Sequence, residues 1–142
     1  MNAIKPHSCA DELRNADLKS TPARLQVLAI VEHERVPLDV KTIASMLQKR
    51  GVDVDKVTLF RIVNALTEKG ILKPIQFNEG KLRYEYAYLP EHHHFMCERC
   101  GWIEDVEVCN IAPVIQKIFS KNGLLVRRHS LEFFGLCADC QS

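Results

Sequence analysis

A membrane-spanning run, a secretory leader and a dominant charge are all missing from this 142-residue chain. No apolar stretch approaches the roughly 18 residues that cross a bilayer as a helix, so no membrane partner is expected. Residues 1–9 hold no apolar leader core, which makes the cytoplasm the expected compartment. Lys and Arg number 19 against 18 Asp and Glu, and a net charge of +1 selects no partner by itself. The His-x-Glu and Pro-Cys-x-x-Cys pair of a zinc deaminase is missing too, since His92-x-His94 precedes Met96-Cys97. What remains, with 46% hydrophobic residues, suffices for one ordinary domain or two small ones.

The metal-binding chemistry that is present lies mostly in the last third. Cys97-x-x-Cys100 and Cys137-x-x-Cys140 each hold two thiolates at the spacing of a tight turn. Two such pairs supply the four ligands of a closed tetrahedral zinc site. Four buried thiols or two disulfides are the alternatives. Gly101-Trp102-Ile103 after the first pair reads as strand, unlike the strand-to-helix turn of a redox motif, and this favours zinc. Thiolates held by metal suit a reducing compartment, and four of them leave no open position for hydrolase chemistry. The 36-residue spacer must carry structure of its own. Trp102, Ile103, Val106 and Val108 suggest a strand. Ile111, Val114, Ile115, Ile118 and Phe119 recur at helical spacing until Asn122-Gly123, and strand propensity returns at Leu124-Leu125-Val126 and from Leu131 to Phe134.

The charge is uneven along the chain. Residues 1–88 hold 14 basic against 11 acidic groups and residues 89–142 hold 5 against 7, or +3 and −2. A mildly basic first part is compatible with nucleic acid. Thr21-Pro22 caps and starts one helix, Asp39 caps a second that ends at Arg50-Gly51, and a third runs from Asp55 to Glu68-Lys69 and stops at Gly70. On the third, Leu59, Ile62, Val63 and Leu66 share a face, while Val57, Arg61, Asn64 and Glu68 lie opposite, with Thr58 and Phe60 at the borders. Arg and Asn interleaved with apolar groups suit a major groove, where Arg grips guanine, Asn adenine and apolar atoms the thymine methyl. An ordinary surface helix is the alternative. After Gly70 the period changes to two, and Ile71–Phe77, Asn78-Glu79-Gly80-Lys81 and Leu82–Tyr88 read as a β-hairpin. Helices plus hairpin suggest a winged helix whose wing brings Lys81 or Arg83 near phosphates, with the Tyr stripe used for packing. Leu89-Pro90 marks a boundary, dividing the chain into 1–88 and 89–142.

In an extended segment His92 and His94 face one side and His93 the other. Glu85, with Asp105 or its neighbour Glu104, can complete a nitrogen and oxygen set suited to iron, manganese, nickel or zinc. An exposed His run without a ligand is the alternative. His129 is read equally as a partner of His93 and as a surface histidine, and Cys109 first as a small buried hydrophobe and second as a ligand.

Thr58-Leu59-Phe60-Arg61, the hairpin ending in Tyr84-Glu85, His92-His93-His94, Cys97-Glu98-Arg99-Cys100-Gly101 and His129-Ser130-Leu131 ahead of Cys137 together resemble the ferric uptake regulator (Fur) family, from about Leu18 to Cys140. The resemblance implies an α+β fold, an N-terminal winged helix followed by a small α/β dimerisation domain with a structural zinc. It implies a homodimeric, metal-dependent transcription factor, usually a repressor, binding palindromic double-stranded DNA. The structural zinc would sit at Cys97, Cys100, Cys137 and Cys140. Glu85, His92 and His94 fall at the family's sensory site between the domains, for a second divalent ion such as iron, manganese, zinc or nickel. Asp105 falls at its further acidic position. Lys19 and Arg24 match basic positions that approach DNA, and Phe60-Arg61 matches a pair that is usually Tyr-Arg.

Two positions depart from the family pattern. The remaining sensory His usually stands just ahead of the second helix's cap, where this chain has Pro37-Leu38-Asp39 and the nearest imidazole is His33. The second His-rich site retains Glu91, His93 and His129 but has Ala112, with Cys109 as a hypothetical substitute. The expected function is metal-dependent regulation of metal-homeostasis or oxidative-stress genes, without enzymatic activity. The alternative is a zinc-stapled DNA-binding protein that senses nothing.

Overall fold

The computed structural model describes residues 8–107 and 110–142, which fall into two compact units, one up to Tyr88 and one of Leu89–Ser142. The first unit begins with a helix that the periodicity did not reveal, α1 at Cys9–Asn15. Ser8 caps it by accepting from the Asp11 amide, and Asp11 and Glu12 lie in the first turn where the helix dipole favours acid. The expected helices follow: α2 at Pro22–His33 capped by Thr21, α3 at Val40–Lys49 capped by Asp39, and α4 at Lys56–Glu68 capped by Asp55. Their apolar faces converge. Leu13 of α1, Val27, Leu28 and Val31 of α2, Ile43 and Leu47 of α3, and Leu59, Ile62, Val63 and Leu66 of α4 form one buried cluster. At about 1.5–3 kcal/mol for each large aliphatic side chain removed from water, this cluster is the main support of the unit.

The hairpin joins the same core. Strands β1 (Leu72–Gln76) and β2 (Leu82–Tyr86) pair antiparallel, with Leu72 opposite Tyr86 and Gln76 opposite Leu82. Asn78 and Gly80 occupy left-handed backbone at the tip (φ 59° and 79°), the residue types that tolerate it. Tyr84 is buried in the cluster and the Tyr86 hydroxyl donates to Glu12, so both tyrosines serve packing. Leu38 extends the sheet, its amide donating to the Tyr84 carbonyl (2.9 Å) and its carbonyl accepting from the Tyr84 amide (2.8 Å). Two of the wing's cations are paired within the unit. Lys81 is ion-paired to Asp39, and Arg83 donates twice to Glu79 at 2.8 and 2.9 Å.

In the second unit β3 (His93–Cys97) is central, antiparallel to β4 (Ile103–Val106) and parallel to β5 (Glu132–Gly135). The parallel pairing needs a crossover, which contains α5 (Ala112–Asn122), ended by Gly123 at φ 67°. A short 3-10 turn, Ala138–Gln141, follows. Leu124-Leu125-Val126 forms no strand, contrary to its propensity, and Leu124 and Leu125 are 59% and 75% exposed. Propensity alone does not make a strand; a partner edge does, and this segment has none in the described chain.

Candidate metal centres and nucleic-acid face

Strand pairing assembles the cysteine cluster. β3 ends at Cys97, β5 leads into Cys137, and the parallel register sets Cys97 beside Gly135. Each pair is a closed turn. The Gly101 amide donates to the Cys97 carbonyl (2.9 Å) and the Cys140 amide to the Cys137 carbonyl (3.1 Å). Gly101 sits at φ 78°, a conformation that a side chain would strain. Arg99 spans the turns, its guanidinium donating to the Cys140 carbonyl at 2.6 Å.

All four sulfurs lie within 4.8 Å of one another, and Cys100 and Cys137 are 3.8 Å apart. Tetrahedral zinc with bonds of about 2.3 Å separates its sulfurs by about 3.8 Å. The four cysteines are free thiols, so no disulfide competes. Backbone amides of Cys100 and Cys137 pull the Cys97 thiol down to about 6. The Cys137 sulfur, then burial, push Cys140 up to about 12. The Cys97 thiol thus loses its proton readily, while Cys100 and Cys140 are pushed the other way and hold protons that a dication would replace. The donor set fits a closed zinc site.

The histidines divide as strand geometry requires. His92 Nδ1–H donates to the Pro90 carbonyl (2.7 Å), which leaves Nε2 as the ring's acceptor, 3.1 Å from His94 Nε2. Asp105 stands opposite His94 across the β3–β4 ladder, with Oδ1 3.6 Å from His94 Nε2. That oxygen is buried and has no hydrogen-bond partner. Glu85 lies in the first unit, on β2 opposite Lys73. On the other side of β3, His93 is buried with Nε2 unpartnered, and its ring lies 5.7 Å from that of His129. His129 Nε2 is 3.1 Å from Glu91, so Glu91, His93 and His129 form a second cluster with donor atoms within 4.8 Å. Unpaired buried polar atoms are costly, and a cation would satisfy both orphans. Glu104 is exposed opposite Phe95, out of phase with Asp105. His33 is exposed at the end of α2 and joins no ligand cluster among the described residues, and Pro37 is buried. Cys109 lies outside the described residues.

The α4 face expected to read DNA is open. Val57 is 58% and Phe60 42% exposed, and Thr58, Arg61 and Asn64 are exposed beside them. Lys19 is exposed, and half-buried Arg24 uses one guanidinium N–H on the Lys19 carbonyl (3.2 Å). Sequence reasoning missed α1, although Ser8-x-x-Asp11 is a capping signature. The contacts of Pro90 with His92 and of Arg99 with Cys140 could not be read from spacing.

A family model described as the ferric uptake regulator family matches residues 15–134. The chain belongs to the ferric uptake regulator family. These are metal-responsive transcriptional regulators and not enzymes. Among the relatives, the transcriptional regulator FurA of Mycobacterium tuberculosis is 34% identical over 134 residues, covering 92% of this chain and 88% of that protein. The ferric uptake regulation protein of Neisseria meningitidis is 30% identical over 132 residues, covering 92% of each. The crystal structure of the Vibrio cholerae ferric uptake regulator superposes with a TM-score of 0.80 at 25% identity, over 92% of this chain and all of that one. The α+β architecture is that of the Fur family.

Proposed function

We propose that this Fur-family protein is a homodimeric repressor whose affinity for a palindromic operator is set by a divalent cation at His92, His94, Asp105 and Glu85. The observation that carries the reading is the pair of Nε2 atoms 3.1 Å apart, one acceptor-oriented by Pro90, beside an unsatisfied carboxylate oxygen. Such a nitrogen and oxygen set supplies exchangeable coordination for iron, manganese, zinc or nickel, whereas four thiolates suit a permanent zinc. Glu85 belongs to the first unit and the other three proposed ligands to the second, so an ion that bound all four would restrain one unit against the other. Two recognition helices must match half-site spacing, so that restraint changes affinity without altering a base contact. A full switch needs the ion to favour the competent state by about 5 kcal/mol.

Homodimerisation is supported by apolar exposure in the second unit, where Val114, Phe119, Leu124 and Leu125 are all more than half exposed. Glu91, His93 and His129 are assigned to a further cation site, without Ala112. The rival is a zinc-stapled DNA-binding protein that senses nothing, favoured by Pro37 standing where a sensory His is usual. Titrating iron, manganese, zinc and nickel into operator-binding assays separates the two. The His92→Ala, His94→Ala double variant should lose metal-dependent affinity and keep one tight zinc per chain. An unchanged metal response would establish the rival.

A further inference from the structure

We propose that the wing is latched to the start of α3 by Lys81 and that the duplex phosphates are met by cations at and just ahead of the start of α2, Arg24 and Lys19, rather than by Lys81 and Arg83. The proposal rests on the first unit being the DNA-binding one. The Asp39 carboxylate is buried, accepts from the Thr42 amide at 2.7 Å as the cap of α3, and takes the Lys81 ammonium on its other oxygen. Leu38, its neighbour, is held to Tyr84 of β2 by two backbone hydrogen bonds. Backbone and side chain therefore fasten the same point of α3 to the hairpin. Because α3 packs on α4, the latch also positions the hairpin relative to the recognition helix.

Lys81 and Arg83 each already have a carboxylate. Arg83 and Glu79 are a bidentate pair with side chains only 17% and 18% exposed. Moving Lys81 to a phosphate would strip the buried Asp39 of its countercharge, an unfavourable exchange. A neutral pair displaces no condensed counterions from DNA, whereas a free cation displaces about one. Lys19, Arg24 and Arg61 take part in no ion pair among the described residues. Lys81 is accordingly a positioning residue.

The test uses the full-length metal-loaded protein and a fluorescein-labelled 30-base-pair duplex, with anisotropy giving the slope of log K against log [NaCl]. Lys81→Met and Arg83→Met should keep the wild-type slope, and Lys19→Met and Arg24→Met should each reduce it by about 0.9. Amide exchange at Leu38 and Tyr84 should accelerate in Lys81→Met and return to the wild-type rate in Lys81→Arg. A slope reduced by about one in Lys81→Met, or exchange at Leu38 and Tyr84 unchanged by it, overturns the latch. Wild-type protein with no affinity for the duplex would remove the DNA-binding reading and the phosphate assignment, while amide exchange at Leu38 and Tyr84 would still decide the latch.

Discussion

Arg61 and Cys97 are the residues on which the proposed readings bear most directly, one exposed on α4 and one buried at the end of β3. Arg61 lies on the open face of α4, outside the apolar cluster, so its loss should not disturb folding. Arg61→Ala should cost about 1–3 kcal/mol of operator discrimination while gel filtration shows an unchanged assembly. Retained sequence preference would dismiss α4 as the reading element. Cys97 is buried at the end of β3, and Ser in its place supplies an oxygen where a thiolate is needed. Cys97→Ser should lose zinc by elemental analysis and lower the melting temperature of the second unit. A strong chelator should lower it in the wild type and leave the variant unmoved. A zinc-bearing, unaltered Cys97→Ser would contradict the structural role.

Helix α3 shows how one side chain can serve an element twice. Asp39 caps the start of α3 by accepting from the Thr42 amide, and replacing it with Ala should cost about 1 kcal/mol through the cap alone, read from urea unfolding. Burial pushes its carboxyl up, but Lys81 and Thr42 together outweigh burial and hold it well below the usual carboxylate range. A depressed folded-state pKa stabilises at every pH above the unfolded value of about 3.9, and is lost as pH falls toward the folded value. The stability gap between wild type and Asp39→Asn should therefore be flat from pH 7 to about 5 and narrow below about 4. A gap that widens on acidification would show that Asp39 is not the stabilised anion.

For the whole molecule, the second unit is unfinished as a single chain. No described residue of α5 is buried, and Leu124-Leu125-Val126 carries strand propensity without an edge to pair. A second copy placed there would cover both. Leu125→Asp should shift sedimentation from dimer toward monomer and weaken operator binding, while the first unit keeps its fold. A Leu125→Asp protein that remains fully dimeric would move the interface elsewhere.

The local elements could be read from residue order, because their causes are local. Thr21-Pro22, Asp39 and Asp55 announce helix starts, the change from period 3.6 to period 2 after Gly70 announces the hairpin, and the two Cys-x-x-Cys pairs announce a thiolate site. Family motifs added ligand and DNA-facing candidates that patterning alone left open. What depended on contacts between distant residues could not be read. The tertiary structure decided that Lys81 meets Asp39, 42 positions earlier, that His92 is oriented by the Pro90 carbonyl, and that Glu91, His93 and His129 converge across β3. It also decided that Leu124–Val126 stays unpaired, since strand propensity becomes a strand only when an edge lies alongside it.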